Sequence, residues 1–211
     1  MAQVRISKEI LAKATEARRE LHKHAELSFL ETGTAKRILE ALYQLAPPDD
    51  IFTGVGGTGV VAVYNSGKPG PTVLFRAELD ALPLQETNDF EHKSVTDGVS
   101  HKCGHDGHMA TLLGLAGVIR SPQKSSNQDD VDAKGLPPTP LPAPILTSGK
   151  VVLVFQPAEE EGTGAVAVLA DPNFTNAVPP PDYVFAYHNI PSFRTGTVVL
   201  RREVFTASVR R

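Results

Sequence analysis

Three of the chain's seven histidines and its only cysteine fall within eight residues, HKCGHDGH at 101–108. Cys103 and His105 are separated by one glycine, which can take backbone angles closed to other residues, so a thiolate and an imidazole can converge on one point from a tight loop. Soft sulfur with borderline nitrogen suits zinc, and also nickel, cobalt or manganese where carboxylates complete the set. His108, in the first turn of the helix expected next, is open to three readings: a ligand, a donor behind a ligand, or a packing residue. A lone cysteine is ordinarily a small buried hydrophobe. Four sulfur or imidazole side chains in eight residues count against that here.

Further ligands must come from elsewhere. In FQPAEEEGTG, Glu159, Glu160 and Glu161 follow the apolar run VVLVF. Three adjacent carboxylates repel one another, and a solvated acidic turn is the plain reading. Beside a buried strand, however, one carboxylate would find a metal, and a neighbour near a metal-bound water could take its proton. YHNIP brings His188, and RAELDALP brings Glu78 and Asp80, to the ends of two more strands; sites in α/β sheets gather at strand ends. From the residues alone the expectation is a mixed Cys/His/carboxylate metal site with a candidate base. The competing chemistry, a cysteine hydrolase using Cys103 with His105 or His108, leaves Glu159 and Glu160 without a role. GVGGTG at 54–59 matches a dinucleotide-loop spacing but leads into the strand-like VVAVY, where such a loop must open a helix. It reads as a flexible turn.

The elements that position these groups follow from periodicity. Residues 7–23 read as a helix capped by Ser7, with Ile10, Leu11, Ala14, Ala17 and Leu21 at helical spacing. Thr32–Leu45 reads as a second, capped by Thr32 and burying Ala35, Ile38, Leu39 and Leu42, with PPDD stopping it. GVVAVYN (59–65) and TVLFRAEL (72–79), joined by the turn signal SGKPG, read as neighbouring strands. A third helix is expected from Asp106 as cap, with Met109, Leu112, Leu113, Ala116 and Ile119 on one face. VVLVFQ (151–156), YVFAYH (183–188) and TVVL (197–200) read as three more strands. The interleaving predicts a layered α/β domain, and the continuous apolar strands predict a sheet covered on both faces. The insert at 121–149 holds six of the chain's 17 prolines and no apolar periodicity. It reads as a disordered surface loop rather than a partner-binding polyproline segment, although LPPTPLPAP has P-x-x-P spacing.

With 211 residues, 41% of them hydrophobic, the chain can bury a sizeable core. A net charge of −3 gives no reason to expect nucleic acid or an anionic membrane as partner. One cysteine fits a reducing compartment, the amino terminus lacks the apolar core of a signal peptide, and no run is long enough to span a bilayer. A soluble, cytoplasmic protein is expected.

Together, RRELHKHAELSFLET, GVGGTGVVAVY, LFRAELDALPLQE, HKCGHDGHMATLLG, VFQPAEE and YHN resemble, in order, the metal-dependent amidohydrolases of the aminoacylase, hippurate hydrolase and indole-acetyl-amino-acid hydrolase family. The resemblance covers nearly all of the chain except the proline-rich insert. It implies an α/β/α zinc-peptidase-like catalytic domain over 1–211, and ligation of a divalent metal, two ions of zinc, manganese, nickel or cobalt, by Cys103, His105, Glu160 and His188. It also implies Glu159 as the general base that activates a metal-bound water, and Asp80 orienting a ligand. The implied reaction is hydrolysis of an N-acyl amino acid to a carboxylic acid and a free amino acid. This sequence has Ala25 where the family usually has proline, Glu78 where it has aspartate, and Lys102 where it has a small residue. Family members are about twice as long; a lid and dimerisation domain, and a last histidine ligand, would follow Arg211. The expectation is therefore a partial catalytic domain, with a homodimer implied only for a form that has the lid. A non-catalytic protein binding metal or acyl amino acids is the alternative.

Overall fold

Ser7 starts helix α1 (Lys8–Lys23) as expected: its hydroxyl accepts the N–H of Ile10 at 3.1 Å, and Ile10, Ala14 and Leu21 are buried. The computed structural model describes residues 6–121 and 145–200. Most of the proline-rich insert lies outside the described residues. The second helix, α2 (Thr32–Leu45), also has its expected bounds and buries Ala35, Ile38 and Leu42, with Leu39 partly covered. Its cap differs. Thr32 is already helical, and the residue before it makes no side-chain capping bond. Instead the Glu26 carboxylate reaches over from the preceding loop and accepts the N–H groups of Gly33 at 3.2 Å and Thr34 at 2.6 Å. A carboxylate at the positive end of a helix satisfies donors that have no partner within it.

Among the described residues five strands form one sheet: β1 (Asp50–Val55), β2 (Gly59–Asn65), β3 (Thr72–Glu78), β4 (Lys150–Gln156) and β5 (Tyr183–Ala186), in the order β1-β2-β4-β3-β5. The β1–β2 and β2–β4 pairs are antiparallel, whereas β3 lies parallel to both β4 and β5. β2 and β3, expected as neighbours, are thus separated by β4. The run VVLVF is apolar on both faces and takes the centre, where both its edges find partners. Strand β1 went unread, and its hairpin with β2 contains the GVGGTG glycines. Gly54, Gly56 and Gly57 all have positive φ, and Gly56 donates its N–H to Asp171 at 2.8 Å. TVVL, expected as a strand, has no ladder partner among the described residues: Val198 and Leu200 are 81% and 90% exposed. β-propensity without a ladder partner does not make a strand.

Period-two alternation divides the core between two faces. Val60, Ala62, Tyr64, Ala77, Leu153 and Phe155 face α1, α2 and α3 (His105–Arg120), the last burying Met109, Leu112, Leu113, Ala116 and Ile119. Val61, Val63, Leu74, Val152 and Val154 face Val168 of α4 (Gly164–Ala170), and Phe174 and Ala177 of α5 (Pro172–Ala177). Strands β2, β4 and β3 are covered on both faces, whereas Tyr183, Val184 and Phe185 of the edge strand β5 are exposed; the architecture is α/β/α. No helix among the described residues is long and apolar enough to cross a membrane.

Candidate metal centre

Because β3, β4 and β5 run parallel, their carboxyl ends meet at one edge of the sheet. Asp80 follows β3, Glu159 and Glu160 follow β4, and His188 follows β5. The fourth contribution is the loop entering α3. Gly104, not Asp106, is the N-cap, with φ 109° and no room for a side chain against Asn189. A left-handed cap is open to glycine at little cost. Asp106 instead lies buried in the first turn.

His105 opens α3 and is fully buried. Its Nδ1 lies 2.8 Å from the Asp80 carbonyl oxygen, which can only accept, so the proton sits on Nδ1. Nε2 then faces Glu159 Oε2 at 3.7 Å and Glu160 Oε1 at 3.8 Å. His105 Nε2 and Glu160 Oε1 are both buried and have no hydrogen-bond partner among the described residues. Two unpartnered buried donor atoms at this separation are costly by themselves and suit a shared cation. Asp80 braces the arrangement: its Oδ2 accepts the Ser28 hydroxyl at 2.7 Å and the Glu160 N–H at 2.9 Å.

Cys103 Sγ lies 3.1 Å from His188 Nε2, and His188 Nδ1 donates to the Asn189 carbonyl at 2.8 Å, so the Nε2 lone pair faces the sulfur. Donor atoms of Cys103, His105 and His188 lie within 4.8 Å of one another, as do those of His105, Glu159 and Glu160. His105 joins the two groups, so all four expected ligands and the expected base come together around it. Burial, and then the charge of Glu160, push the Cys103 thiol up to about 12. Burial lowers the His105 pKa, but the Asp80 hydrogen bond and the Glu78 charge outweigh it and raise the value overall. Burial likewise opposes ionisation of Asp80, yet its bonds from His105, Glu160 and Ser28 hold it below the ordinary aspartate range. A bound divalent cation would reverse the first two preferences, favouring thiolate and neutral imidazole.

Both ring nitrogens of His108 are engaged by protein groups that are not among the expected ligands. Nδ1 is 2.7 Å from Glu78 Oε2 and Nε2 is 2.8 Å from Asn189 Oδ1, while Arg76 holds the other oxygen of Glu78 at 2.7 Å. Glu78, His105 and His108 also cluster closely, but both ring nitrogens of His108 already have protein partners. His108 also accepts the Tyr187 hydroxyl on its carbonyl at 2.8 Å and stacks edge-on behind His188. These bonds turn the chain off the β5 ladder, which ends at Ala186 and not at His188.

Two supports escaped the sequence reading. Glu31 is wholly buried between Thr58 and the Ala158 N–H. His22 bridges Asp106 at 3.0 Å and Glu86 at 3.1 Å; Glu86 also takes Lys102, and Asp106 takes Arg18. The hydrogen bond to Asp106 is the main reason the His22 pKa is raised. Burial opposes the ionisation of Glu86 and Asp106, but Lys102 and His22 respectively, with other partners, hold both down to about 2. Lys102 and Asp106 flank the Cys103–His105 loop and are thereby fixed. His22 and Glu31 lie in RRELHKHAELSFLET and Glu86 in LPLQE, where no local pattern marks them as buried.

Residues 74–134 match peptidase family M20/M25/M40. The chain is 38% identical to thermostable carboxypeptidase 2 of Saccharolobus solfataricus over 92% of its own length and 44% of that protein's. It is 31% identical to the indole-3-acetyl-aspartic acid hydrolase of Enterobacter agglomerans over 96% of its length and 51% of that protein's. It thus spans about half the length of these curated relatives. Among solved structures it superposes on the Bacillus subtilis YXEP protein, described as a dinuclear metal-binding peptidase from the M20 family, with a TM-score of 0.69 and 31% identity, covering 88% of this chain and 45% of that one. Matched motif, relatives along nine-tenths of the sequence, and a shared α/β/α fold agree: the chain is similar to peptidase family M20/M25/M40.

Proposed function

We propose that the protein hydrolyses the amide bond of N-acyl amino acids, with two divalent ions, of zinc, manganese, nickel or cobalt, held by Cys103, His105, Glu160 and His188. One observation carries this reading: His105 Nε2 and Glu160 Oε1, buried, unpartnered and 3.8 Å apart, at the strand ends where the Cys103–His188 pair also arrives. When bound, the metal would supply Lewis-acid polarisation of the amide carbonyl and an acidified water, which an amide needs as a poor electrophile. Glu159 serves as general base. Its side chain is 38% exposed, so it can take a proton from water and pass it to the departing nitrogen. Asp80 keeps the His105 proton on Nδ1 and ties that ring to the Glu160 backbone, so two ligands share one brace.

Support for the substrate class comes from relatives. One acts, by its name, on an indole-acetyl conjugate of aspartate, and another is named a carboxypeptidase. Both names describe cleavage of an amide whose leaving group is an amino acid with a free carboxylate. A cysteine nucleophile is less favoured, because burial and Glu160 hold the thiol proton on Cys103. The test is elemental analysis of the desalted chain beside Glu160→Ala, followed by assays on N-acyl amino acids and on dipeptides. Transition metal retained by the chain and lost in the variant is expected, with N-acyl amino acids cleaved in preference. Equal metal content in both proteins would refute the ligand assignment, and metal binding without turnover would favour a binding role.

A further inference from the structure

We infer that Glu31 is a positioning residue for the Glu159 and Glu160 carboxylates, acting through the backbone of Ala158. The inference rests on the ligand and base assignments proposed above. Among the described residues only two non-glycines have positive φ, Phe29 at 61° and Ala158 at 48°. Each lies two or fewer residues from one of the carboxylates concerned, Glu31, Glu159 and Glu160. A left-handed alanine costs about 1 kcal/mol and persists only where its surroundings impose it.

Glu31 supplies that imposition. It is fully buried; Oε1 accepts the Ala158 N–H at 2.8 Å, and Oε2 accepts the Thr58 hydroxyl at 2.6 Å. Thr58 sits at the tip of the β1–β2 hairpin. The antiparallel register of β2 against β4, with Val60 opposite Phe155, brings that tip to the end of the sheet where β4 gives way to the glutamates. Farther along, the loop closes on itself: Gly162 N–H donates to Glu159 O at 2.8 Å and Gly164 N–H to Ala158 O at 3.1 Å. Ala158 is therefore held on its N–H side by Glu31 and on its carbonyl side by Gly164. If the first hold is lost, Ala158 can relax to negative φ, and the peptide carrying Glu159 and Glu160 turns with it. The Asp80–Glu160 N–H bond would then be left to hold that segment against His105 with less support.

The experiment uses the full chain. Zinc affinity is measured by competition with a chromophoric chelator, beside the thermal midpoint of each metal-free protein. Glu31→Ala is expected to bind zinc about tenfold or more weakly at a temperature where the metal-free variant is still folded. Glu31→Gln should recover near-wild-type affinity, because its amide oxygen can accept from Ala158 while its NH₂ donates to the Thr58 hydroxyl. Adding Ala158→Gly to Glu31→Ala should regain part of the loss, since glycine adopts positive φ without strain. Wild-type affinity in Glu31→Ala, or Gln as weak as Ala, overturns the inference; no recovery on adding Ala158→Gly overturns the route through Ala158. Should Glu31→Ala fail to fold, Thr58→Val removes one of the two bonds while keeping the side-chain shape. A severalfold loss is then expected, and undiminished affinity overturns the inference. A wild-type chain that binds no zinc overturns the ligand assignment itself and this inference with it.

Discussion

His101 makes acid sensitivity a quantitative consequence of the fold. It is 5% exposed, and neither ring nitrogen has a hydrogen-bond partner among the described residues. Burial is the main reason its pKa is lowered from 6.5 to about 4. A histidine depressed in the folded state binds its proton in the unfolded chain first, so stability falls as pH drops below about 6.5 and levels off near 4. With 6.5 for the unfolded state and about 4 for the folded one, moving from pH 7 to pH 5 costs about 2 kcal/mol through this residue alone. The assay is denaturant unfolding in EDTA at both pH values for the wild type and for His101→Gln. Other groups titrate too. The raised His22 adds stability as pH falls toward 6.5, and Glu86 and Asp106, held down to about 2, begin to lose theirs only as pH approaches their unfolded values. The His22 and Glu86 contributions occur in both proteins, and Asp106, which the charge of His101 also helps to hold down, loses its stability only below pH 5. The wild type should therefore lose about 2 kcal/mol more than the variant. Parallel losses, within about 0.5 kcal/mol, would mean that the folded protein admits a proton or water at His101 and that the reasoning from burial fails.

Two further outcomes follow from single contacts. Gly104→Ala forces a side chain into Asn189 at a positive φ, so it should weaken zinc binding about tenfold or more by displacing the His188 segment; chelator competition reads this, and unchanged affinity would refute the placement. Glu26→Ala removes the acceptor for two N–H groups and one hydroxyl at the start of α2. It should cost about 1 kcal/mol in denaturant unfolding without changing metal affinity, and no loss of stability would mean that water caps the helix equally well.

Periodicity located most of the elements because the signals are local. Ile38 and Leu42 lie one turn apart and both face the core, as any amphipathic helix would place them. Strand order was less legible. SGKPG is a good turn, yet β2 and β3 do not form a hairpin, because Asn65 ends its ladder opposite Lys150 rather than Thr72. Strand β1 was hidden by Gly54 within it and by PPDD before it, both of which ordinarily punctuate strands. TVVL erred the other way: its composition suits a strand, but no edge among the described residues receives it.

The candidate site divides along the same line between local and distant information. Cys103 and His105 announce themselves by spacing, and Glu159, Glu160 and His188 by following apolar runs. What holds them does not. Glu31 and Ala158 are 127 residues apart, and His22 and Asp106 are 84. A buried carboxylate and a surface carboxylate look identical until the fold brings donors to one of them. The parallel half of the sheet makes that difference. Reversing either β3 or β5 relative to β4 would send Asp80 or His188 to the opposite end of the domain, leaving the same motifs in sequence with no common point in space. Strand direction is therefore the condition under which these separated residues can form one centre.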